Sequence, residues 1–266
     1  MRIAIIGVGN LGLSIAKGLL VNNMISSLYL TKRHINELEG FKANKKVVIT
    51  SDNGMAIQNS DIIIFAVQPN HLAAVLRKNK QFITPKHTLI STITGFSIQK
   101  IEDVIGNQNS VIRAMPNTAI AVGKSMTCIC SNEKAILKLN ITRKIFDTLG
   151  TTLVIPEKQM QAATVVCASG IAFWMRLIRA TTQAAIQLGF DAKEAQQLAM
   201  HTCEGASSLL IATGNHPEQE IDKVTTPMGC TIEGLNEMEH QGLSSSLIRG
   251  MIASFEKIEG IKQVLN

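Results

Sequence analysis

Apolar residues follow two different rhythms along this chain. In the first part, short apolar runs recur at Ile3–Ile6, Leu28–Leu30, Val47–Thr50, Asp61–Val67, Leu89–Ile93, Val111–Ala114, Met126–Ile129 and Leu153–Ile155. Each has the length of one strand. Helical patterns fill most of the gaps, as at Leu11–Leu20, Ile98–Ile105 and Glu133–Leu149. Strands that alternate with helices predict an α/β fold with a doubly wound, mostly parallel sheet.

The rhythm changes after Pro156. No proline occurs from Glu157 to Leu188, and Phe190–Ile211, Thr231–Gln241 and Ser244–Val264 carry helical spacing. In the last of these, Leu247, Ile248, Met251, Phe255 and Ile258 share one face. The expected layout is a Rossmann-type domain over residues 1–156 and an all-helical domain over residues 157–266. Such long apolar helices expose more surface than they can cover alone, so self-association through the helical domain is expected.

Composition narrows the function. The 266 residues suit one large or two ordinary domains, and 45% apolar content is that of a globular protein. Aromatic residues make up only 4%, which argues against stacking platforms for single-stranded nucleic acid. The formal charge of +6 is scattered, its closest cluster being Lys42, Lys45 and Lys46. That balance suits an anionic small ligand. The five cysteines match no zinc pattern, and free thiols in a reducing cytosol are expected. The run Ile3–Ile6 is too short for a secretory signal. The near-uncharged stretch Ala162–Met175 is too short to span a bilayer and reads as a buried helix.

Residues 7-GVGNLG-12 match G-x-G-x-x-G between a predicted strand and a predicted helix. Gly7 permits the tight turn, Gly9 admits a pyrophosphate, and Gly12 lets helix and strand approach. Amides at the helix start, from Asn10 and Leu11 onward, would face the phosphates, with Val8 inside the loop. A dinucleotide site is expected here. The second strand ends 28-LYLTKR-33, without the carboxylate that takes a ribose 2′-hydroxyl in NAD sites. A hydroxyl and two cations suit a 2′-phosphate instead, so NADP is expected over NAD. The ends of the strands in 61-DIIIFAVQP-69 and 91-STITG-95 should run along the cofactor.

Acid–base machinery is scarce. None of the six histidines has a recognisable catalytic setting, and 169-SGIAFWMRLIR-179 contains Arg176 and Arg179 but no lysine. Metal-binding carboxylate pairs are missing from this helix. These absences speak against a hydroxyacid dehydrogenase and favour reduction of an electrophilic C=N bond, whose nitrogen needs at most one proton.

At this point the chain resembles the Δ1-pyrroline-5-carboxylate reductases. The resemblance covers essentially its whole length, through 7-GVGNLG-12, 66-AVQP-69, 113-RAMPNT-118, 167-CASGIAFW-174, 205-GASSLL-210 and the signature-like 216-HP…DKVTTPMGCTIEGL-235. It implies an N-terminal Rossmann domain followed by a helical dimerisation domain, with rings of dimers in some members. It implies NADPH-dependent reduction of pyrroline-5-carboxylate to L-proline. Carried over, Thr31 and Arg33 flank the 2′-phosphate, and Asn53 lies near the adenosine half. Ala66, Val67, Gln68, Pro69, Thr92, Ile93, Thr94 and Asn117 lie along the cofactor. Val224, Thr226, Gly229, Cys230 and Thr231 contact the substrate, with Thr231 on the ring nitrogen as the catalytic residue. The chain departs from the family pattern at Gln68 (commonly Lys), Ala119 (Pro), 168-ASGIAF-173 and Met228 (Gly). Met228 is the departure that leaves open another cyclic imine acid as substrate. A non-catalytic NADP-binding paralogue is the alternative of a different class.

Overall fold

The computed structural model describes residues 1–21 and 24–264. Two compact units emerge, Met1–Ser169 together with Ser254–Asn266, and Gly170–Ala253. In the first unit the strands β1 (Arg2–Ile6), β2 (Ser27–Thr31), β3 (Val47–Thr50), β4 (Ile62–Phe65), β5 (Thr88–Ser91), β6 (Ser110–Met115), β7 (Ser125–Ser131) and β8 (Gly150–Val154) form one sheet. Its order is β3-β2-β1-β4-β5-β6-β7-β8. All neighbouring pairs are parallel except β6 with β7. The expected Rossmann sheet is therefore present, with all eight sequence-predicted strands in place.

The helices of this unit are α1 (Asn10–Val21), α2 (Asn53–Gln58), α3 (Pro69–Asn79), α4 (Ile98–Ile105), α5 (Leu139–Asp147) and α6 (Met160–Ala163). They cover both faces of the sheet, which is why the strands read as unbroken apolar runs. On one face Ile3 and Ile5 of β1 pack with Ile15 and Leu19 of α1 and Phe146 of α5. On the other, Ala4 and Ile6 pack with Leu72 and Leu76 of α3 and Ile101 of α4. Each such fully buried aliphatic side chain contributes about 1.5–3 kcal/mol. The predicted helix Glu133–Leu149 divides into a 3₁₀ stretch, Glu133–Lys138, and α5. Asn132 causes the early start, because its side chain accepts from the Ala135 amide.

After α6 the helix widens into a π stretch at Thr164–Ser169. It continues as α7 (Gly170–Gln187), followed by α8 (Ala192–Thr213), α9 (Pro217–Val224), α10 (Cys230–His240) and α11 (Leu243–Val264). Asp191 caps α8 by accepting from the amides of Lys193 and Glu194. Helices α7 and α8 pack as an antiparallel hairpin. The expectation of a buried helix around Ala162–Met175 needs correction. The continuous helical stretch Glu157–Gln187 is long and apolar enough to cross a membrane by length and composition, with only 22% of its most apolar window buried. It carries Arg176 and Arg179 and packs against α8. Trp174, Met175, Ile186, Leu209 and Ile211 all stand exposed in the single chain.

The turn between α9 and α10 contains the one residue other than glycine with positive φ among the described residues, Met228 at φ 56°. This is the departure noted above. The backbone keeps the left-handed conformation that glycine would adopt freely, and the methionine side chain projects fully into solvent at 97% exposure. The strain of about 1–2 kcal/mol is borne locally, and the turn survives the substitution. Met228→Gly relieves that strain but adds chain entropy of about 0.5–1 kcal/mol, so denaturant unfolding should shift by less than about 1 kcal/mol. Met228→Val, whose branched side chain resists positive φ, should cost more than about 1 kcal/mol. Equal tolerance of glycine and valine would contradict the strained turn.

Candidate active site

One candidate site lies where β1, β2 and β4 end. Here the sheet order reverses direction between β1 and β4, the place where ligands bind in open α/β sheets. The Gly7 amide donates to the Thr31 hydroxyl at 3.2 Å and the Val8 amide to the Thr31 carbonyl at 2.8 Å. These bonds hold the phosphate loop against β2. Gly7 has φ 84°, and a Cβ there would sit 2.2 Å from a methyl of Val67. A Cβ on Gly12 would lie 3.3 Å from a methyl of Ile5, as close helix–strand packing implies. A Cβ on Gly9 would meet nothing within 4 Å. The loop thus presents bare backbone to open space at the start of α1. The first-turn amides of that helix, Asn10 to Gly12, have no carbonyl one turn back and carry the partial positive charge of the helix end. This is a cradle for a pyrophosphate, and an NADP-type dinucleotide fits the residues present.

A cavity of about 440 Å³ opens from this loop. Gly7, Val8, Gly9, Thr31, Arg33, Asn53, Ala66, Val67 and Gln68 line it, as the sequence suggests. Lys32, the other cation read for a 2′-phosphate, lines it as well, and His34, Ser51, His71 and Val75 line it too without having been singled out by the sequence. Their common signal is that each follows a strand or lies on the first turns of the helix behind it. Asn10, Leu11, Gly12 and Pro69 lie beside the cavity in sequence but not in its lining.

The cations at the end of β2 are not equivalent. Lys32 is bound to Glu37 at 2.6 Å, which also holds the Glu37 carboxyl below its usual range through that hydrogen bond. Arg33 is exposed and forms no ion pair among the described residues. Thr31 is buried, with its hydroxyl turned to Gly7. Arg33 is thus the cation at this strand end without a carboxylate partner among the described residues, while the Thr31 hydroxyl is taken up by Gly7.

Four other expected contacts have structural partners. The Thr92 hydroxyl donates to the Phe65 carbonyl at 2.9 Å, and Ile93 is buried. The Thr94 hydroxyl meets the Met115 sulfur at 3.7 Å. Asn117 accepts from the Ala119 amide and donates through Nδ2 to the carbonyl of Cys167 at 3.1 Å. That bond fixes the segment after β6 to the π stretch. None of the four lines the dinucleotide cavity. Beside this tie the Cys128 and Cys167 sulfurs lie 3.9 Å apart. Hydrogen bonding from Cys128 makes Cys167 the more acidic thiol of the pair. All five cysteines are free.

A second candidate site is the turn 224–231, in the unit Gly170–Ala253. Gly229 precedes α10, and a Cβ there would lie 2.4 Å from the Thr226 hydroxyl oxygen. Only glycine allows that approach. The N-terminus of α10 has no side-chain cap, so its first amides remain available to an anion. The hydroxyls of Thr226 and Thr231 make no hydrogen bond among the described residues, and Thr231 is half-buried one step inside the helix. Val224 and Cys230 are exposed at either end of the turn. The nearest lysine, Lys223, pairs with Glu220 at 2.7 Å. A carboxylate at this turn would rely on amides and hydroxyls.

Comparison with known proteins points to one family for both parts of the chain. Residues 157–261 match the model for pyrroline-5-carboxylate reductase dimerisation, and residues 2–95 match that for NADP oxidoreductase, coenzyme F420-dependent. A pyrroline-5-carboxylate reductase 1 from Dictyostelium discoideum is 42% identical over 96% of this chain, which spans 49% of that relative's length. A pyrroline-5-carboxylate reductase 2 from the same organism is 38% identical over 100% of this chain and 94% of its own. Among solved structures, the pyrroline carboxylate reductase of Plasmodium falciparum with NADP bound superposes with a TM-score of 0.88 at 25% identity, covering 98% of each chain. With sequence likeness along nearly its whole length and the same fold, the chain belongs to the pyrroline-5-carboxylate reductase family.

Proposed function

We propose that the protein reduces the C=N bond of Δ1-pyrroline-5-carboxylate to give L-proline, using NADPH. The observation that carries this reading is the uncapped start of α10 behind Gly229, with Thr226 and Thr231 free to hydrogen-bond, in a chain that also holds a dinucleotide cradle. The substrate carboxylate is held by the α10 amides and the Thr226 hydroxyl. The Thr231 hydroxyl bonds the ring nitrogen and orients the imine. The cavity at β1, β2 and β4 would hold the cofactor, which would supply a hydride for the imine carbon. The nitrogen gains one proton, so product forms as a secondary amine. Most of the acceleration comes from holding donor and acceptor in line, because the imine is already electrophilic.

The retained turn geometry at Met228 supports the family's own substrate over another cyclic imine acid, since the departure leaves the backbone of the loop in place. Gly7, Gly9 and Gly12 cradle the pyrophosphate through the amides of Asn10 and Leu11, Arg33 binds the 2′-phosphate, and Asn53 lies along the adenosine half. Residues 1–156 form the cofactor domain, and residues 157–266 the substrate and dimerisation domain. The exposed apolar residues of α7 and α8 are covered by a second copy, giving a homodimer or a ring of dimers. The five free thiols suit a cytosolic enzyme.

Incubation with NADPH and pyrroline-5-carboxylate should oxidise the cofactor and yield L-proline. Thr231→Ala should lower kcat by about tenfold or more while the Kd for NADPH stays unchanged, as expected for one lost hydrogen bond to the reacting group. Unchanged turnover in that variant would remove Thr231 from the mechanism. Retained NADPH binding with no turnover of any imine would instead identify a non-catalytic paralogue. Sedimentation at micromolar concentration should show a dimer or a multiple of it. A stable monomer would contradict the covered helical face.

A further inference from the structure

A second cavity of the first unit, of about 390 Å³, shares no lining residue with the dinucleotide cavity. Arg113 of β6 forms its base. Ser97 and Lys100 come from the start of α4, and Glu157 and Lys158 from the turn before α6. Three cations thus meet one carboxylate, and that carboxylate is already engaged. Glu157 Oε1 accepts from Arg113 Nη1 at 3.0 Å and from the Ile98 amide at 2.8 Å.

The remaining donors are unmet. Arg113 is more than nine-tenths buried, and its Nε has no partner. The Lys100 ammonium is also buried without a hydrogen-bond partner, 6.0 Å from the Phe96 ring centroid. Among the described residues four buried side-chain polar atoms lack a partner, and the two cationic ones line this one cavity. Buried donors on charged groups are costly unless something accepts from them. The Ser97 hydroxyl accepts from the Lys100 amide and keeps its own proton to donate. A planar guanidinium edge, an ammonium and a hydroxyl around one cavity, with an excess of two positive charges, match a tetrahedral dianion.

We propose that this cavity binds phosphate, free or as a small phosphomonoester, at a site separate from the dinucleotide. Arg113 Nε and Lys100 Nζ donate to it from inside, and Lys158 closes over it from the exposed rim. A bound dianion links β6, the start of α4 and the turn before α6.

The test is calorimetric titration of the full-length protein with inorganic phosphate at constant ionic strength, alone and with saturating NADP. NADP fills any phosphate subsite of the dinucleotide cavity, so binding that persists in its presence belongs elsewhere. The proposal expects saturable binding in both conditions and a rise in thermal midpoint with phosphate. The double variant Lys100→Gln, Lys158→Gln leaves the Arg113–Glu157 pair intact and should weaken binding by about tenfold or more, with unchanged circular dichroism and NADP affinity. Parallel titration with β-glycerophosphate identifies the source. Binding of both ligands assigns the site to phosphomonoesters, binding of phosphate alone to the inorganic ion, and either result supports the proposal. No saturable binding, binding abolished by NADP, or equal binding by the double variant would overturn it and leave a water-filled cavity.

Discussion

The amides of Gly7 and Val8 both donate to Thr31, and the rest of the dinucleotide site depends on this tie. It joins the end of β1 to the end of β2, the two strands between which the chain must turn. With the loop held there, α1 starts with its free amides directed outward, and Arg33 emerges on the next strand end. The glycines serve that arrangement by removing bulk where Val67 and Ile5 press against the loop. Thr31 is buried because it anchors the loop. The cation beyond it is what remains to recognise a ligand's charge.

The sheet was legible because both of its faces are covered. Strands buried on two sides are continuous apolar runs, and all eight stand out in the sequence. Direction is not encoded that way, so the antiparallel pairing of β6 and β7 could not be read from the runs themselves. Helix α9 was overlooked because its residues are largely charged. Its signals were present nonetheless, in Pro217 at the first position and the reciprocal capping bonds of His216 and Gln219. The π stretch had no sequence signal. It is fixed by a tertiary contact, the Asn117 side chain on the carbonyl of Cys167, fifty positions away.

The candidate site shows the same division. Motif glycines and the turn 224–231 were legible because backbone chemistry needs particular residues at particular spacings. The difference between Lys32 and Arg33 was not, since it rests on Glu37 reaching back to one of two adjacent cations. Met228 illustrates the reverse case. Its identity suggested an altered turn, yet the fold imposes positive φ on it and the turn is kept. Local preference there yields to the packing of Gly229 on Thr226, which fixes the path of the chain on the other side. The cationic cavity around Arg113 draws on residues from three separate segments, so no local pattern announces it.

In the proposed function, recognition of the 2′-phosphate by Arg33 is what turns a strand end without a carboxylate into an NADP site. Its most direct test is equilibrium binding of NADPH and NADH, followed by cofactor fluorescence, in the wild type and in Arg33→Asp. The wild type should bind NADPH more tightly than NADH. In the variant NADPH affinity should fall by about tenfold or more, as loss of a charge-assisted hydrogen bond implies, while NADH affinity holds or rises. Equal affinity for the two cofactors in the wild type, or an unchanged NADPH affinity in Arg33→Asp, would contradict it.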